Sequence, residues 1–99
     1  MAWMYILKCG DGSYYVGSTR SLDLRLSQHQ SGKGSRYSSG RLPVELVYAE
    51  EYDSIMDAYA REKQVQSWSR AKREALINEK PELLSALAKK RFYRNPPLV

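Results

Sequence analysis

The sequence predicts an α+β domain in which helices pack against a small three-stranded sheet. Two strand-like segments flank a Gly-Asp-Gly turn, a third follows a helix and a glycine-rich stretch, and the rest of the chain has apolar residues at helical spacing. With 99 residues, 42% of them hydrophobic, the chain can form one modest core. We therefore expect a single domain over residues 1–90 and a short basic tail over residues 91–99.

The first two strands are expected to pair as an antiparallel hairpin. Residues 3–9 (WMYILKC) and 13–19 (SYYVGST) are rich in aromatic and β-branched side chains, and the residues between them tolerate the positive φ angles of a tight turn. Because Tyr14 and Tyr15 are consecutive, their side chains are expected on opposite faces of the second strand. Gly17 weakens that strand, and such a glycine often marks a close backbone approach or access for a ligand.

A helix is predicted over residues 22–30, with Ser21 as its N-cap. Arg25 and His29 are four residues apart and share one stripe of this helix. The pair either lies on a solvated face or binds a phosphate, since Arg offers a planar fork to phosphate oxygens and His transfers a proton near neutral pH. Residues 32–43, rich in glycine, serine and basic side chains, are predicted to form a loop that either contacts phosphate or serves only as a connection.

The remainder of the chain is predicted to contain one strand and three helices. Residues 44–52 form the third strand, with Leu46 and Tyr48 on one face because side chains alternate along a strand. A longer helix begins after Asp53 or Ser54, either of which can act as its N-cap. Two shorter helices are expected at residues 70–78 and from Pro81 onwards.

One carboxylate interrupts the apolar stripe of the longer helix. Glu62 occupies a position at which the helical period predicts an apolar side chain. Burying a carboxylate is unfavourable unless it is paired or bound to a cation. Two interpretations follow: Glu62 pairs with a neighbour among Arg61, Lys63 and Gln66, or it is a hard oxygen ligand for Mg²⁺.

Charge is segregated along the chain. Lys and Arg number 16 against 11 Asp and Glu, so the net charge is +5. An acidic stretch over residues 45–57 separates a basic stretch over residues 20–41 from a second one over residues 61–80. Segregated basic charge favours a polyanionic partner such as nucleic acid, although a modest positive charge can also serve solubility alone.

The sequence carries no sign of a membrane or of export. No apolar run approaches the roughly 20 residues of a membrane span, and the N-terminus lacks the basic and apolar regions of a secretory signal. The single cysteine, Cys9, cannot form an internal disulfide. We therefore expect a cytoplasmic protein without a membrane partner.

One ordered set of residues runs through these predicted elements: Tyr5, the triplet Tyr15-Val16-Gly17, Arg25, His29 and Glu62. The set resembles the GIY-YIG endonuclease domain over residues 3–73. The segments DGSYYVGST, HQSGKGSRYSSGRLPVELVY and WSRAKREALI are similar to a small single-domain bacterial subfamily of that superfamily. The resemblance implies a three-stranded antiparallel sheet flanked by helices.

The chain departs from the motif that names the family. Trp3-Met4-Tyr5 stands in place of Gly-Ile-Tyr, so only the tyrosine is kept, and the first two positions look structural. Some members of the family also carry a late asparagine in the site. Asn78 is the candidate for that position in this chain.

The resemblance implies hydrolysis of phosphodiester bonds in a nucleic acid with one Mg²⁺ (or Mn²⁺) ion. Carried over to this chain, Glu62 holds the metal and Arg25 neutralises charge on the phosphate in the transition state. Tyr5 is a candidate general base and Tyr15 binds the attacking water or the phosphate. A phenol is a weak base unless Arg25 and the metal lower its pKa, so His29 is the rival base, or relays the proton, or orients Tyr5.

The basic residues near this set are expected to hold flanking phosphates of the substrate without reading its sequence. They are Lys33, Arg36, Arg41, Arg70, Lys72 and Arg73. Gly17 is expected to leave room for the substrate backbone. DNA is favoured over RNA as the substrate, in repair or recombination, and a protein partner or a homodimer is left open.

Three classes of function are open to a small basic domain with these residues: a nuclease, a nucleic-acid-binding module and a protein–protein adaptor. A binding module of the same fold has no use for a carboxylate facing a phosphate, which it would repel, so Glu62 favours a nuclease over a catalytically weak nucleic-acid-binding module. A protein–protein adaptor would use the C-terminal leucines, Leu83, Leu84 and Leu87, which core packing explains better.

Overall fold

The structure is a computed structural model that describes residues 1–79. Its elements are β1 (Ala2–Lys8), β2 (Tyr14–Thr19), α1 (Leu22–Gln30), α2 (Arg36–Ser39), β3 (Glu45–Tyr52), α3 (Ile55–Gln66) and α4 (Arg70–Glu79). The predicted helix from Pro81 and the predicted tail over residues 91–99 lie outside the described residues. None of the helices within residues 1–79 is long and apolar enough to cross a membrane.

The three strands form one antiparallel sheet in the order β2-β1-β3. The predicted α+β class and the hairpin of β1 and β2 are confirmed. Because β1 is central, it is covered on both faces, and six of its seven residues are buried. A strand buried on both faces needs apolar side chains at every position, which explains the unbroken run in its sequence. β2 is an edge strand.

A bulge in β3 changes which face its side chains occupy. Ile6 of β1 pairs with Tyr48, whereas the next residue, Leu7, pairs with Leu46. Val47 is the extra residue, so the alternation of side chains slips by one position. Leu46 therefore packs on the α1 side of the sheet and Tyr48 on the α3 side. The prediction that Leu46 and Tyr48 share a face was wrong, because a bulge is invisible to a strict period of two.

Two apolar layers separate the helices from the sheet. The layer next to α1 contains Trp3, Tyr5, Leu7, Cys9, Leu22, Val44 and Ala49. The layer next to α3 and α4 contains Met4, Ile6, Val16, Tyr48, Val65, Leu76 and Ile77. Odd-numbered residues of β1 thus face α1, while even-numbered ones face α3. Tyr5 consequently belongs to the α1 side.

The predicted loop over residues 32–43 contains the short helix α2. The hydroxyl of Ser35 accepts a hydrogen bond of 3.0 Å from the backbone N–H of Ser38 and caps this helix. Arg41 then pairs with Asp11 in the β1–β2 turn at 3.0 Å and donates to the backbone oxygen of Tyr37 at 2.9 Å. A serine cap on α2 and the carboxylate of Asp11 therefore hold a segment that the sequence predicts to be a loop.

A buried ion pair fastens α3 to β3. The carboxylate of Glu50, 1% exposed, accepts two hydrogen bonds from the guanidinium of Arg61, at 3.0 and 3.1 Å. The hydroxyls of Tyr48 and Tyr52 donate to the same carboxylate at 2.7 and 2.6 Å. Burial raises the pKa of Tyr48, and the charge of Glu50 raises it further, so this phenol stays protonated and keeps donating. The carboxylate is fully matched, as a buried charge requires.

Replacing Arg61 by Met is expected to destabilise the protein by about 3–5 kcal/mol, because Glu50 then stays buried without its counter-charge. Urea unfolding followed by tryptophan fluorescence measures this difference. Arg36→Met is the matched control, since Arg36 is exposed and has no ion pair within residues 1–79, and it is expected to change stability by less than about 0.5 kcal/mol. Equal stability of the two variants would contradict an anchoring role for the pair.

Candidate active site

The site begins at a cross-strand pair of β1 and β2. Tyr5 lies opposite Gly17 in the sheet. A Cβ on Gly17 would lie 2.5 Å from the hydroxyl oxygen of Tyr5 and 3.0 Å from the ring of Tyr15. The missing side chain thus makes space for the phenol of Tyr5 to lie across β2. The expectation that Gly17 leaves room for the substrate backbone is corrected, because the two tyrosines fill that space.

Tyr5 starts a buried chain of hydrogen bonds that runs through α1 to α2. Its hydroxyl is 2.9 Å from Nε2 of His29, and Nδ1 of His29 is 2.7 Å from the hydroxyl of Ser38. His29 is completely buried, so the alternative of a solvated helix face is wrong for this residue. Gly34 permits this burial, because a Cβ there would collide with the imidazole.

Arg25 stands beside the tyrosine hydroxyls. Burial lowers its pKa, but hydrogen bonding and charge interaction with Tyr5 and Tyr15 outweigh that effect, so the pKa is raised overall and the guanidinium stays charged. An arginine only donates, so a Tyr5 hydroxyl that accepts from Arg25 can still give its own proton to Nε2 of His29. In the tautomer that accepts this proton, Nδ1 carries the ring hydrogen and donates to Ser38.

Burial sets the protonation states of Tyr5 and His29, the first two members of this hydrogen-bonded series. It raises the pKa of Tyr5, and the neighbouring Tyr15 adds to the rise, while Arg25 opposes it with a smaller effect. Burial, followed by the charge of Arg25, lowers the pKa of His29 to about 4. At neutral pH the site therefore holds a phenol and an uncharged imidazole. A tyrosine that acts alone as a base needs a lowered pKa. Arg25 by itself does not lower the pKa of Tyr5 below its ordinary value.

Aromatic rings extend the site towards α2. The ring of Tyr15 is 5.0 Å from His29 and 6.0 Å from Tyr37, centroid to centroid. Tyr14 packs on the opposite face of β2 and donates to Glu74 at 3.1 Å, so the prediction that the consecutive tyrosines diverge is confirmed. A groove of about 360 Å³ passes along this edge of the sheet and is lined by Tyr14, Tyr15, Val16, Tyr37, Gln66 and Arg73.

Glu62 reaches the same edge strand from α3. Its Oε1 accepts a hydrogen bond of 2.5 Å from the hydroxyl of Ser18, and its Oε2 accepts one of 2.7 Å from the amide of Gln66. Lys63 is more distant, at 3.7 Å, and half-exposed. Of the neighbours considered from sequence, Gln66 and Lys63 contact Glu62, whereas Arg61 turns to Glu50. The charge of Glu62 also raises the pKa of Tyr5, as the smallest of the contributing effects.

The described residues fit a hydrated cation better than a protein-lined metal cage. No group of three or more His, Cys, Asp or Glu side chains within residues 1–79 is arranged to hold a metal ion. Glu62 keeps free lone pairs, since a carboxylate offers about four acceptor positions and two are used by Ser18 and Gln66. Mg²⁺ commonly binds through one or two carboxylates and retains several waters. The chemistry of this single carboxylate is compatible with such an ion.

The predicted phosphate ligands fall into two groups. Lys33, Arg36 and Lys72 are exposed, and none of them forms an ion pair within the described part of the chain. Lys72 lies over the ring of Trp68 at 4.3 Å. These three cations are free to meet a polyanion.

The other predicted cations have partners in the fold. Arg41 pairs with Asp11 and covers the ring of Tyr37 at 3.9 Å. Arg70 pairs with Glu74 at 3.1 Å and donates to a backbone oxygen of the β1–β2 turn at 2.7 Å. Arg73 donates to the last carbonyls of α3, at 3.2 and 2.8 Å. Their first role is therefore to hold α2, α3 and α4 in place, which the sequence did not reveal.

Two residues that contact the site, Ser18 and Ser38, were not predicted from the sequence. Ser18 carries a detectable signal, because it is a polar residue two positions after the buried Val16 on the same face of β2. Ser38 has no such signal, since its contact with His29 depends on the turn of α2. Asn78 is exposed near the end of α4.

Comparison with known proteins decides the family. A family model described as the GIY-YIG catalytic domain matches residues 1–75. The chain belongs to the GIY-YIG family. The resemblance predicted from Tyr5, the Tyr15-Val16-Gly17 triplet, Arg25, His29 and Glu62 is thereby confirmed.

Relatives of this GIY-YIG chain are small proteins. It is 43% identical over 75 residues to a UPF0213 protein of Natronomonas pharaonis, covering 76% of this chain and 88% of that one. It is 42% identical over 78 residues to a UPF0213 protein of Streptococcus pneumoniae, covering 79% of each. The solution NMR structure of a UPF0213 protein from Bacillus halodurans is 37% identical, with a TM-score of 0.56, and the comparison covers 94% of this chain and all of that one. The GIY-YIG fold described above is thus shared with a solved relative.

Gly17→Ala is expected to destabilise the protein by about 1–3 kcal/mol, because the added methyl group overlaps Tyr5 and Tyr15. Gly40→Ala is the matched control, since nothing lies within 4 Å of a Cβ there and the φ of −91° suits any residue. That control is expected to be neutral or stabilising by up to about 1 kcal/mol. Chemical denaturation measures both, and a Gly17→Ala protein as stable as wild type would show that the space is not needed.

The pKa of His29 is expected near 4, well below its ordinary value of 6.5. NMR titration of the ring signals measures it directly, because the chain has one histidine. Between pH 6.5 and 4 the unfolded chain binds this proton and the folded protein does not, so stability falls as the pH drops through that range, by on the order of 3 kcal/mol. His29→Gln lacks this contribution and is expected to show a shallower pH dependence. A titration midpoint near 6.5 in the folded protein would contradict the buried, neutral imidazole.

Proposed function

We propose that this GIY-YIG protein is a metal-dependent endonuclease that hydrolyses phosphodiester bonds in DNA, in repair or recombination. The observation that carries the proposal is the convergence of four chemical groups at edge strand β2. A phenol (Tyr5) comes from β1, a guanidinium and an imidazole (Arg25 and His29) come from α1, and a carboxylate (Glu62) comes from α3. A binding protein needs cations for a phosphate, but it gains nothing from a carboxylate held among them.

Arg25 is the proposed ligand of the scissile phosphate. It is half-buried between the tyrosine hydroxyls, and its raised pKa keeps it positively charged. A fixed charge in a partly dry site stabilises the charge that develops on the phosphate without reorganisation. Lys33, Arg36 and Lys72 are the proposed contacts to flanking phosphates, because they are exposed and unmatched within the described residues.

Glu62 is the proposed ligand of one Mg²⁺ (or Mn²⁺) ion. Its side chain is 12% exposed and its two hydrogen-bond donors, Ser18 and Gln66, are uncharged. Lys63 is half-exposed and lies farther away, at 3.7 Å, so the charge of Glu62 is only partly offset and remains available to a cation. When bound, Mg²⁺ polarises the phosphoryl oxygens and stabilises the leaving oxygen.

Proton transfer from the attacking water is assigned to Tyr5 and His29 acting together. The raised pKa of Tyr5 argues against a stored phenolate, whereas its 2.9 Å contact with Nε2 of His29 offers the phenol proton a place to go. Tyr5 then takes the proton of the water as it hands its own to His29. A bound phosphate offsets the charge of Arg25, one of the two causes that hold the pKa of His29 low, and so strengthens His29 as the final acceptor.

Cleavage of a labelled panel of single-stranded, duplex and branched DNA tests the proposal, with an RNA of matching sequence included. Wild type is expected to cut with Mg²⁺ and to be inactive in EDTA. Glu62→Gln is expected to lose at least about 100-fold in rate while still binding DNA, because several kcal/mol of transition-state stabilisation depend on the metal. Glu45→Gln, an exposed carboxylate at the start of β3, is the matched control and is expected to cut normally.

Other outcomes separate the rival assignments. Salt-sensitive binding by wild type without cutting of any substrate would favour a catalytically weak binding module. Metal-dependent cutting that survives in Glu62→Gln would show that another group holds the ion.

A further inference from the structure

The carboxylate of Glu62 is tied to edge strand β2 on both of its oxygens. Ser18, a residue of β2, donates to Oε1 at 2.5 Å. Gln66, one turn further along α3, donates to Oε2 at 2.7 Å, and the same amide nitrogen lies 3.2 Å from the backbone oxygen of Val16 in β2. One bond thus runs directly to the strand, and the other reaches it through Gln66.

Such an arrangement restricts a side chain that is otherwise flexible. A free glutamate samples many rotamers, and ordering it at the moment a ligand binds costs conformational entropy. With one donor on each oxygen, Glu62 is ordered in advance. Since Ser18 and Val16 flank Gly17 in the chain, the carboxylate is also fixed relative to the strand across which Tyr5 lies.

The two residues that donate to Glu62, Ser18 and Gln66, also suit a cation site because neither carries a charge. Both are uncharged, so they orient Glu62 without cancelling its charge, and each carboxylate oxygen keeps a second lone pair. Lys63 lies farther away, 3.7 Å from Oε2, and is half-exposed. The buried carboxylate of Glu50, in contrast, is neutralised by Arg61 and takes two phenol hydrogen bonds besides. A carboxylate meant only to fasten α3 to the sheet would be expected to look like Glu50.

We propose that Ser18 and Gln66 are positioning residues that hold the carboxylate of Glu62 ready for a divalent cation. The inference rests on the proposed function, in which Glu62 is the metal ligand. Groups that orient a metal ligand typically account for 10–100-fold in metal affinity. A purely structural role predicts a change in stability with no change in metal affinity.

Mn²⁺ binding to the full chain without DNA tests this inference. Paramagnetic broadening of the backbone amide signals around Glu62 is followed by NMR as Mn²⁺ is added, and unfolding is measured in parallel. Ser18→Ala and Gln66→Met are expected to weaken Mn²⁺ binding 10–100-fold and to raise the Mg²⁺ concentration for half-maximal cleavage by a similar factor. Cleavage at saturating Mg²⁺ is expected to recover most of the wild-type rate.

Control variants test whether the effect depends on contact with Glu62 or only on the loss of a serine or a glutamine. Ser18→Thr keeps the hydroxyl and is expected to restore affinity. Ser13→Ala and Gln64→Met remove the same groups where they contact Asp11 and Arg61 instead, and are expected to bind Mn²⁺ as wild type does.

Two results would overturn the inference in distinguishable ways. If Glu62→Gln weakens Mn²⁺ binding but both Ser18→Ala and Gln66→Met bind like wild type, the positioning role fails while the proposed function stands. If Glu62→Gln itself binds Mn²⁺ like wild type, the metal assignment fails and the positioning role fails with it. Because Ser18→Ala and Gln66→Met act on different oxygens of Glu62, either variant that folds is sufficient for the comparison.

Discussion

The site depends on one steric constraint, the absence of a side chain at Gly17 opposite Tyr5. Tyr5 is on the central strand, and its phenol reaches the edge of the sheet only because β2 carries no Cβ at that point. The hydroxyl there meets His29 and Arg25 from one side of the sheet and the field of Glu62 from the other. A single missing methyl group therefore lets the phenol of Tyr5 reach His29 at the edge of the sheet.

Two carboxylates on the α3 side show how partners decide the role of a charge. Glu50 is buried against the guanidinium of Arg61 and two phenols, which satisfies it completely and joins α3 to β3. Glu62, the next residue after Arg61, is held by two uncharged donors, and its cationic neighbour, Lys63, is half-exposed and farther away, at 3.7 Å, so its charge is only partly offset. The first arrangement sets where α3 lies, and that position delivers the second carboxylate to β2.

Burial controls the protonation states of the hydrogen-bonded pair Tyr5 and His29. In water a phenol and an imidazole differ in pKa by about 3.5 units, whereas burial moves the two apart by raising one and lowering the other. The resting site is therefore uncharged along this chain, and the positive charge is concentrated on Arg25. In the proposed mechanism, a negatively charged substrate shifts that balance, so that proton transfer depends on substrate binding.

The sequence by itself determined the α+β class, the hairpin and the bounds of α1, because local spacing and turn chemistry carry that information. Its resemblance to the GIY-YIG family, carried by an ordered set of residues, pointed to the membership that the family model shows. It also singled out Glu62 as out of place in an apolar stripe. Tertiary structure alone decided the bulge that separates Leu46 from Tyr48, the burial of His29 against Ser38, and the engagement of Arg41 within the fold. Those features depend on which residues meet across the sheet, and contacts between distant segments leave no periodic trace in the chain.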